Sequence, residues 1–228
     1  MKSDQYFIFP ASEGALIIKF DNSISTKSIG QLAQHLRENM TSNSVVNIVP
    51  SYQTILVHYL PFRIDDIHIY EYIQSTICNF KPITSLSSDE KTLTIPVYYG
   101  KETALDIGRF IEKGVHLDQL IKEHSESIYT VSAIGFAPGF AYLSDVPSSI
   151  AIPRLATPRS FVPAGSVAIA DNKTAVYPSD SPGGWNVIGK TPLNLFIDSP
   201  PFIPFEMGES VIFTPISRNE FFQLGGQL

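Results

Sequence analysis

The prolines constrain this chain more than any other feature, because 11 of the 17 fall between residues 129 and 205. Proline locks φ near −65° and has no N–H to give, so a stretch this dense in it holds neither a long helix nor a long central strand. Within the same stretch four Arg and Lys face four Asp, so the charge cancels. Short apolar runs alternate with Pro-Gly, Ala-Gly and Gly-Gly. That texture predicts a closed, loop-rich β-barrel.

The first third of the chain has a different grammar. "ALIIKF" and "TILVHYL" are short, β-branched and bounded by turns, as strands are. Between them "STKSIGQLAQHLREN" places Ile29, Leu32, Ala33 and Leu36 at i, i+3, i+4, i+7, one face of a helix. "DDIHIYEYIQSTICNF" repeats the period with Ile69, Ile73, Ile77 and Phe80, and its leading Asp65 and Asp66 suit a helix N-terminus. Strand, helix, two strands, helix predicts a small α+β sandwich over residues 1–86. The polar, turn-rich "KPITSLSSDEK" (81–91) marks the boundary. The second domain, 87–228, opens with "TLTIPVYYG" and two short helical stretches, "TALDIGRFIEKG" and "HLDQLIKEHS", before the barrel segment.

Composition excludes several functions. A net charge of −6 and a pI near 5.3 leave no basic face for a nucleic acid backbone. No apolar run approaches the roughly 20 residues of a membrane helix. The N-terminus has no basic stretch followed by an apolar core, so a cytoplasmic location is expected. The single cysteine, Cys78, allows no internal disulfide and no cysteine zinc cluster, and its apolar surroundings predict a buried side chain. His35, His58, His68 and His116 lack ligand spacing, so no metal site is expected.

Three segments carry candidate chemistry. In "SPGGWNVIGKTP" the residues Gly184, Gly189, Lys190 and Thr191 match the G-x-x-x-x-G-K-T phosphate loop. Such a loop follows a buried strand and opens a helix. Here a turn cluster precedes it, and "PLNLFIDSPP" after it alternates Leu193, Leu195 and Ile197 as a strand would. The match is therefore read as chance. The Pro-Gly-Gly turn either presses backbone against a ligand with Trp185 as an apolar wall, or makes a tight corner with Trp185 in the core. "GFAPGFAYL" poses the same choice with Gly135, Gly139, Phe136 and Phe140. Arg154 and Arg159, in a proline-stiffened and nearly uncharged segment, either bind a carboxylate or phosphate in forked geometry or pair locally. His124 is either an acid/base group or a structural histidine.

Taken together, "VPSYQTILVHY", "IPVYYG", "EHSESIYTVSAIGFAPGFAYL", "PRLATPRSFVPAGSVAIA" and "YPSDSPGGWNVIGKTP" resemble, in this order, the bacterial 5-oxoprolinase B-subunit family. It is also called KipI-like or allophanate hydrolase subunit 1. The likeness runs from about Ala15 to Ile216. It implies an N-terminal α+β domain followed by a cyclophilin-like β-barrel domain. It implies work with two further 5-oxoprolinase components, one KipA-like and one LamB/YcsF-like. Together they would open 5-oxo-L-proline to L-glutamate at the expense of ATP with Mg2+, at a nucleotide site not assigned to this chain. The shared blocks carry His124, Arg154 and Arg159 as catalytic candidates. They carry Phe136, Gly139, Phe140, Ser181, Gly183, Gly184 and Trp185 as substrate-binding candidates. On this resemblance the arginines grip a carboxylate or phosphoryl group, the glycine turns offer backbone donors and His124 moves a proton. Ala168, Asp171 and Ala175 stand where the family more often has glycine, and Lys190 where it has arginine. One family member inhibits a sensor histidine kinase, which gives an alternative role as a binding protein.

Overall fold

The computed structural model describes residues 4–40, 43–82, 92–197, 199 and 203–228. The chain divides into two compact units, Met1–Asp89 and Glu90–Leu228. The expected boundary stretch, 81–91, falls largely on residues 83–91, outside the described residues.

The first unit is a four-stranded antiparallel sheet with two helices. Its elements are β1 (Tyr6–Ser12), β2 (Ala15–Phe20), α1 (Thr26–Asn39), β3 (Val45–Ser51), β4 (Thr54–Tyr59) and α2 (Asp66–Asn79), with the strands ordered β1-β2-β4-β3. Both helices start where a side chain caps them. Ser25 Oγ accepts from the Ser28 N–H at 3.1 Å, and Asp65 Oδ1 from the His68 N–H at 2.9 Å. The helix faces expected from the periodicity are the buried ones: Ile29, Leu32, Ala33 and Leu36 on α1, and Ile69, Ile73 and Ile77 on α2. Cys78 corrects the expectation of burial. It follows Ile77 by one helical step of about 100°, which turns it out of the buried stripe and leaves it exposed. Strand β1 has no clear signature in the sequence, because most of its residues are exposed and Pro10 interrupts its pattern.

The second unit contains β5 (Thr92–Val97), α3 (Ile107–Glu112), α4 (Leu117–Ser125), β6 (Tyr129–Ile134), β7 (Ala141–Ser144), β8 (Arg159–Val162), β9 (Ser166–Ala170), β10 (Lys173–Val176), β11 (Ser181–Gly183), β12 (Asn186–Lys190), β13 (Ser210–Pro215) and α5 (Arg218–Gln223). Its strands run β5-β13-β6-β7-β10-β9-β12, with β5 parallel to β13 and the other pairs antiparallel, while β8 and β11 form a separate ladder. The class is α+β, but the expected closed barrel is not formed. Only the isolated bridge between Tyr98 and Lys190 joins the two ends of the sheet among the described residues, with N–H···O bonds of 2.8 and 2.9 Å.

Strand β9 shows why the sheet has two cores. All five of its residues are buried. Successive side chains of a strand point to opposite faces. Val167 and Ile169 enter the main core with Tyr129, Leu143, Val211 and Phe213, whereas Ala168 and Ala170 enter a second cluster with Phe140, Tyr177 and Trp185. Ala168 and Ala175, two of the departures from family glycine, lie beneath these rings.

The phosphate-loop letters lie on β12 and its approach, and residues 192–197 directly after them form no helix. Gly189 answers a packing need: a Cβ there would stand 2.8 Å from Val97 Cγ1 and 3.0 Å from Tyr99 Cδ1. The expected strand over 193–197 is absent. Its backbone is drawn into local side-chain bonds instead, with the Leu193 N–H on Thr191 Oγ1 at 3.3 Å and the Phe196 N–H on Asn194 Oδ1 at 3.1 Å.

Candidate functional site

The face of the second sheet opposite the main core is covered by aromatic rings from two turns. Phe136 and Phe140 flank the turn between β6 and β7, and Trp185 follows the Gly183-Gly184 turn between β11 and β12. Ring centroids lie 5.1 Å apart for Phe136 and Phe140, 5.6 Å for Phe140 and Trp185, and 5.5 Å for Phe140 and Tyr177. Most of these pairs meet edge to face, the geometry that the ring quadrupoles favour. Phe136 is held at φ +77 and is 64% exposed, and Gly139 sits at φ +87. An exposed aromatic in left-handed backbone is a strained presentation that its surroundings must sustain.

Tyr177 links the two turns. Its ring meets Phe136 and Phe140, and its hydroxyl faces the Gly183 backbone. Gly183 packs so closely that a Cβ would lie 2.3 Å from that hydroxyl oxygen, so only glycine fits. Burial raises the Tyr177 pKa, while the Trp185 N–H and the charges of Arg154 and Arg159 oppose the rise. Ser181 and Gly183 pair with Val162 and Arg159 in the β8–β11 ladder, whereas a Cβ added at Gly184 would meet only ordinary contact, 3.6 Å from Pro158.

The two arginines part company. Arg154 is exposed, with its guanidinium carbon 5.6 Å from the Trp185 ring centroid. Its backbone neighbours are anchored: the Leu155 N–H donates to Gly184 O at 2.8 Å, and Pro153 O accepts from Asn186 Nδ2 at 3.0 Å and Arg109 Nη1 at 3.1 Å. Arg159 instead spends its fork on Asp106, at 2.9 and 2.5 Å, and Asp106 is only 5% exposed. Asp106 Oδ2 also accepts the Val187 N–H at 2.7 Å. The expectation that both guanidinium groups are open to a ligand is therefore corrected: Arg159, partly exposed, is closed onto Asp106 as its ion-pair partner.

His124 is also corrected as an acid/base group. It is fully buried and packs on Tyr129 and Phe213 of the main core, not among the aromatic residues of the second cluster. Nδ1 lies 2.7 Å from Tyr99 Oη and Nε2 2.9 Å from Thr174 Oγ1. The Thr174 hydroxyl gives its only proton to Ala168 O at 3.1 Å, so it must accept from Nε2–H. Nδ1 then accepts from Tyr99. Both nitrogens are thus engaged in the neutral form, and burial pushes the pKa down to about 3.

Beside the Gly135–Gly139 turn opens a cleft of about 690 Å³ lined by Ile134, Phe136, Pro138, Phe196, Phe205 and Glu206. The sequence gives little warning that Asp106, Arg109, Asn186 and Tyr177 build the Arg154–Trp185 region. Asp106 and Arg109 lie in the helical stretch "TALDIGRFIEKG", far along the chain from the arginine and glycine blocks, and no local spacing marks them. Tyr177 had one signal, its place at the head of the "YPSDSPGGW" block.

With this geometry in view, the chain can be set beside known proteins. Residues 6–203 match the family model described as carboxyltransferase domain, subdomain C and D. The 5-oxoprolinase B subunit of Bacillus subtilis (strain 168) is 31% identical over 95% of this chain and 95% of its own length. The crystal structure of a conserved uncharacterized protein from Pyrococcus horikoshii is 36% identical and superposes with a TM-score of 0.56 over 94% of this chain and all of its own. The crystal structure of TTHA0988 gives a TM-score of 0.76 at 26% identity, covering 89% of this chain but 40% of that longer one.

Proposed function

We propose that this chain, which belongs to the 5-oxoprolinase B-subunit family, works in a complex that opens 5-oxo-L-proline to L-glutamate with ATP hydrolysis, alongside a KipA-like and a LamB/YcsF-like partner. The observation that carries the reading on this chain is Arg154 poised over Trp185. A guanidinium with its donors turned to solvent suits the carboxylate of a small cyclic amino acid. The indole, 5% exposed and packed in the second cluster, holds the guanidinium from one side.

A lactam resists water because its nitrogen delocalises into the carbonyl. ATP with Mg2+ would supply activation of the lactam oxygen as a phosphoryl ester. The Gly184–Thr191 stretch is strand and turn rather than a helix-opening loop, so it offers the nucleotide no phosphate loop. This chain then holds the carboxylate at Arg154, which rests on the buried Trp185, and keeps the site rigid through Tyr177. It also needs its partners to be active. A second reading, docking on a histidine kinase, draws support from the exposed Phe136 and Phe161, 64% and 56% accessible, which suit a protein contact.

The test is release of glutamate and ADP from 5-oxo-L-proline and Mg-ATP by the chain alone and by the chain co-expressed with both partners. Turnover only in the mixture is expected, with Arg154→Ala raising KM about 10- to 100-fold, the worth of a charge-assisted bond. No turnover in any mixture would move the reading to the kinase-binding class. Turnover by the isolated chain would overturn the dependence on partners.

A further inference from the structure

One buried amide ties the backbone just before Arg154 to the strand beneath Trp185. Asn186 follows Trp185 directly and is 0% exposed. Its two Nδ2 protons go to Pro153 O at 3.0 Å and Ile169 O at 2.9 Å, and its Oδ1 accepts from Arg109 Nη1. Arg109 adds its own bond to Pro153 O at 3.1 Å. The carbonyl just before Arg154 is thus held twice, while Leu155, just after it, is tied to Gly184, just before Trp185. From the other side of Asn186, the Val187 N–H is fixed by Asp106 at 2.7 Å.

An exposed arginine ordinarily sits on backbone that wanders. Here the side chain is solvent-facing and its backbone is bolted to the core through a buried amide whose donors and acceptor are all bonded, the arrangement that preorganises a binding group. The Ile169 contact roots the mount in β9, the strand buried throughout its length.

We infer that Asn186, with Arg109, is a positioning residue that fixes Arg154 against Trp185 for ligand, an inference resting on the carboxylate role of Arg154 proposed above. Neither residue touches substrate. Both act through the backbone at Pro153.

Trp185 is the only tryptophan in the chain, so its emission reports on this site alone. Purified full-length chain is titrated with 5-oxo-L-proline, and KM and kcat are measured separately in the assembled complex. Asn186→Asp turns a carboxylate oxygen toward the two carbonyls that the Nδ2 group served. It should weaken binding about tenfold or more, since displacements of about 1 Å at a site cost up to a hundredfold. Should Asn186→Asp fail to fold, the half-exposed Arg109 supplies the alternative. Arg109→Met should raise Kd and KM several-fold at unchanged kcat, and Arg109→Lys, which keeps a donor for Pro153 O, should restore both. Wild-type binding matched by Arg109→Met and Asn186→Asp would overturn the mount and leave the site reading standing. No response from the wild type would overturn the site reading instead. Acrylamide quenching of Trp185 then decides the mount, which stands if Arg109→Met raises it and Arg109→Lys does not, and falls if both behave as wild type.

Discussion

The two faces of the second sheet each place a basic side chain among aromatic rings, and they use it in opposite ways. On one face His124 lies 4.5 Å from Phe213 and 5.2 Å from Tyr129, centroid to centroid, with both nitrogens bonded inside the protein. On the other, Arg154 stacks on Trp185 with its backbone anchored and its donors in solvent. Aromatic company alone therefore says nothing about function. What separates the two is where the hydrogen bonds end: closed within the core for the histidine, open to a ligand for the arginine. Arg159 stands between them, near the surface but closed onto Asp106.

Substitutions should break this contrast in a definite order. The largest effect is expected for His124→Ala, which leaves a cavity among rings and strips Tyr99 of its acceptor. A loss of about 4 kcal/mol in urea unfolding is expected, by analogy with aromatic truncations. A loss below about 1 kcal/mol would mean that the core is less tightly built than the geometry implies. Next comes Arg159→Ala, which abandons the buried Asp106 carboxylate. About 3 kcal/mol should be lost, at the low end for broken buried pairs because the guanidinium is partly exposed. Asp106→Asn made together with Arg159→Ala should recover part of that loss, and strictly additive effects would argue against direct coupling.

The pH dependence sharpens the same comparison. His124 has a folded pKa of about 3 against an ordinary value of 6.5, so between these values the unfolded chain binds more protons than the folded one. Stability must then rise with pH through that window and fall as pH drops below the ordinary value, by up to about 1.4 kcal/mol per unit from this group. In His124→Gln that component should vanish, seen as a shallower slope of unfolding free energy from about pH 6 to about pH 4. An identical slope in both proteins would assign the acid sensitivity elsewhere. The smallest stability effect belongs to Arg154→Ala, within about 1 kcal/mol by thermal unfolding, because an exposed cation–π contact contributes little. Lys190→Met, aimed at the chance phosphate loop, should leave turnover of the complex unchanged.

Much of the first unit was legible from local pattern. Ile29 to Leu36 and Ile69 to Ile77 share a helical face because about 3.6 residues per turn puts them there whatever surrounds the helix. The prolines and glycines between 129 and 205 likewise excluded long helix, since their backbone restrictions act on the spot. Local pattern misled where a second local preference competed with it. Residues 193–197 alternate as a strand should, yet Thr191 and Asn194 bind their backbone. Cys78 sits one step beyond a buried stripe that composition could not place to the residue.

The candidate site was legible only as a set of blocks, and their assignment waited on contacts between distant segments. Asp106 reaches Arg159 across 53 positions and Arg109 reaches Asn186 across 77. Nothing in the local spacing of either partner distinguishes an arginine that will be neutralised from one that will be left open. Local periodicity and turn chemistry act within a few residues, so the chain's letters carry its helices, its turns and its division into two kinds of segment. Which guanidinium is satisfied, and which histidine nitrogen meets which hydroxyl, depends on strand order and register, and these form only when residues far apart in the chain are packed together.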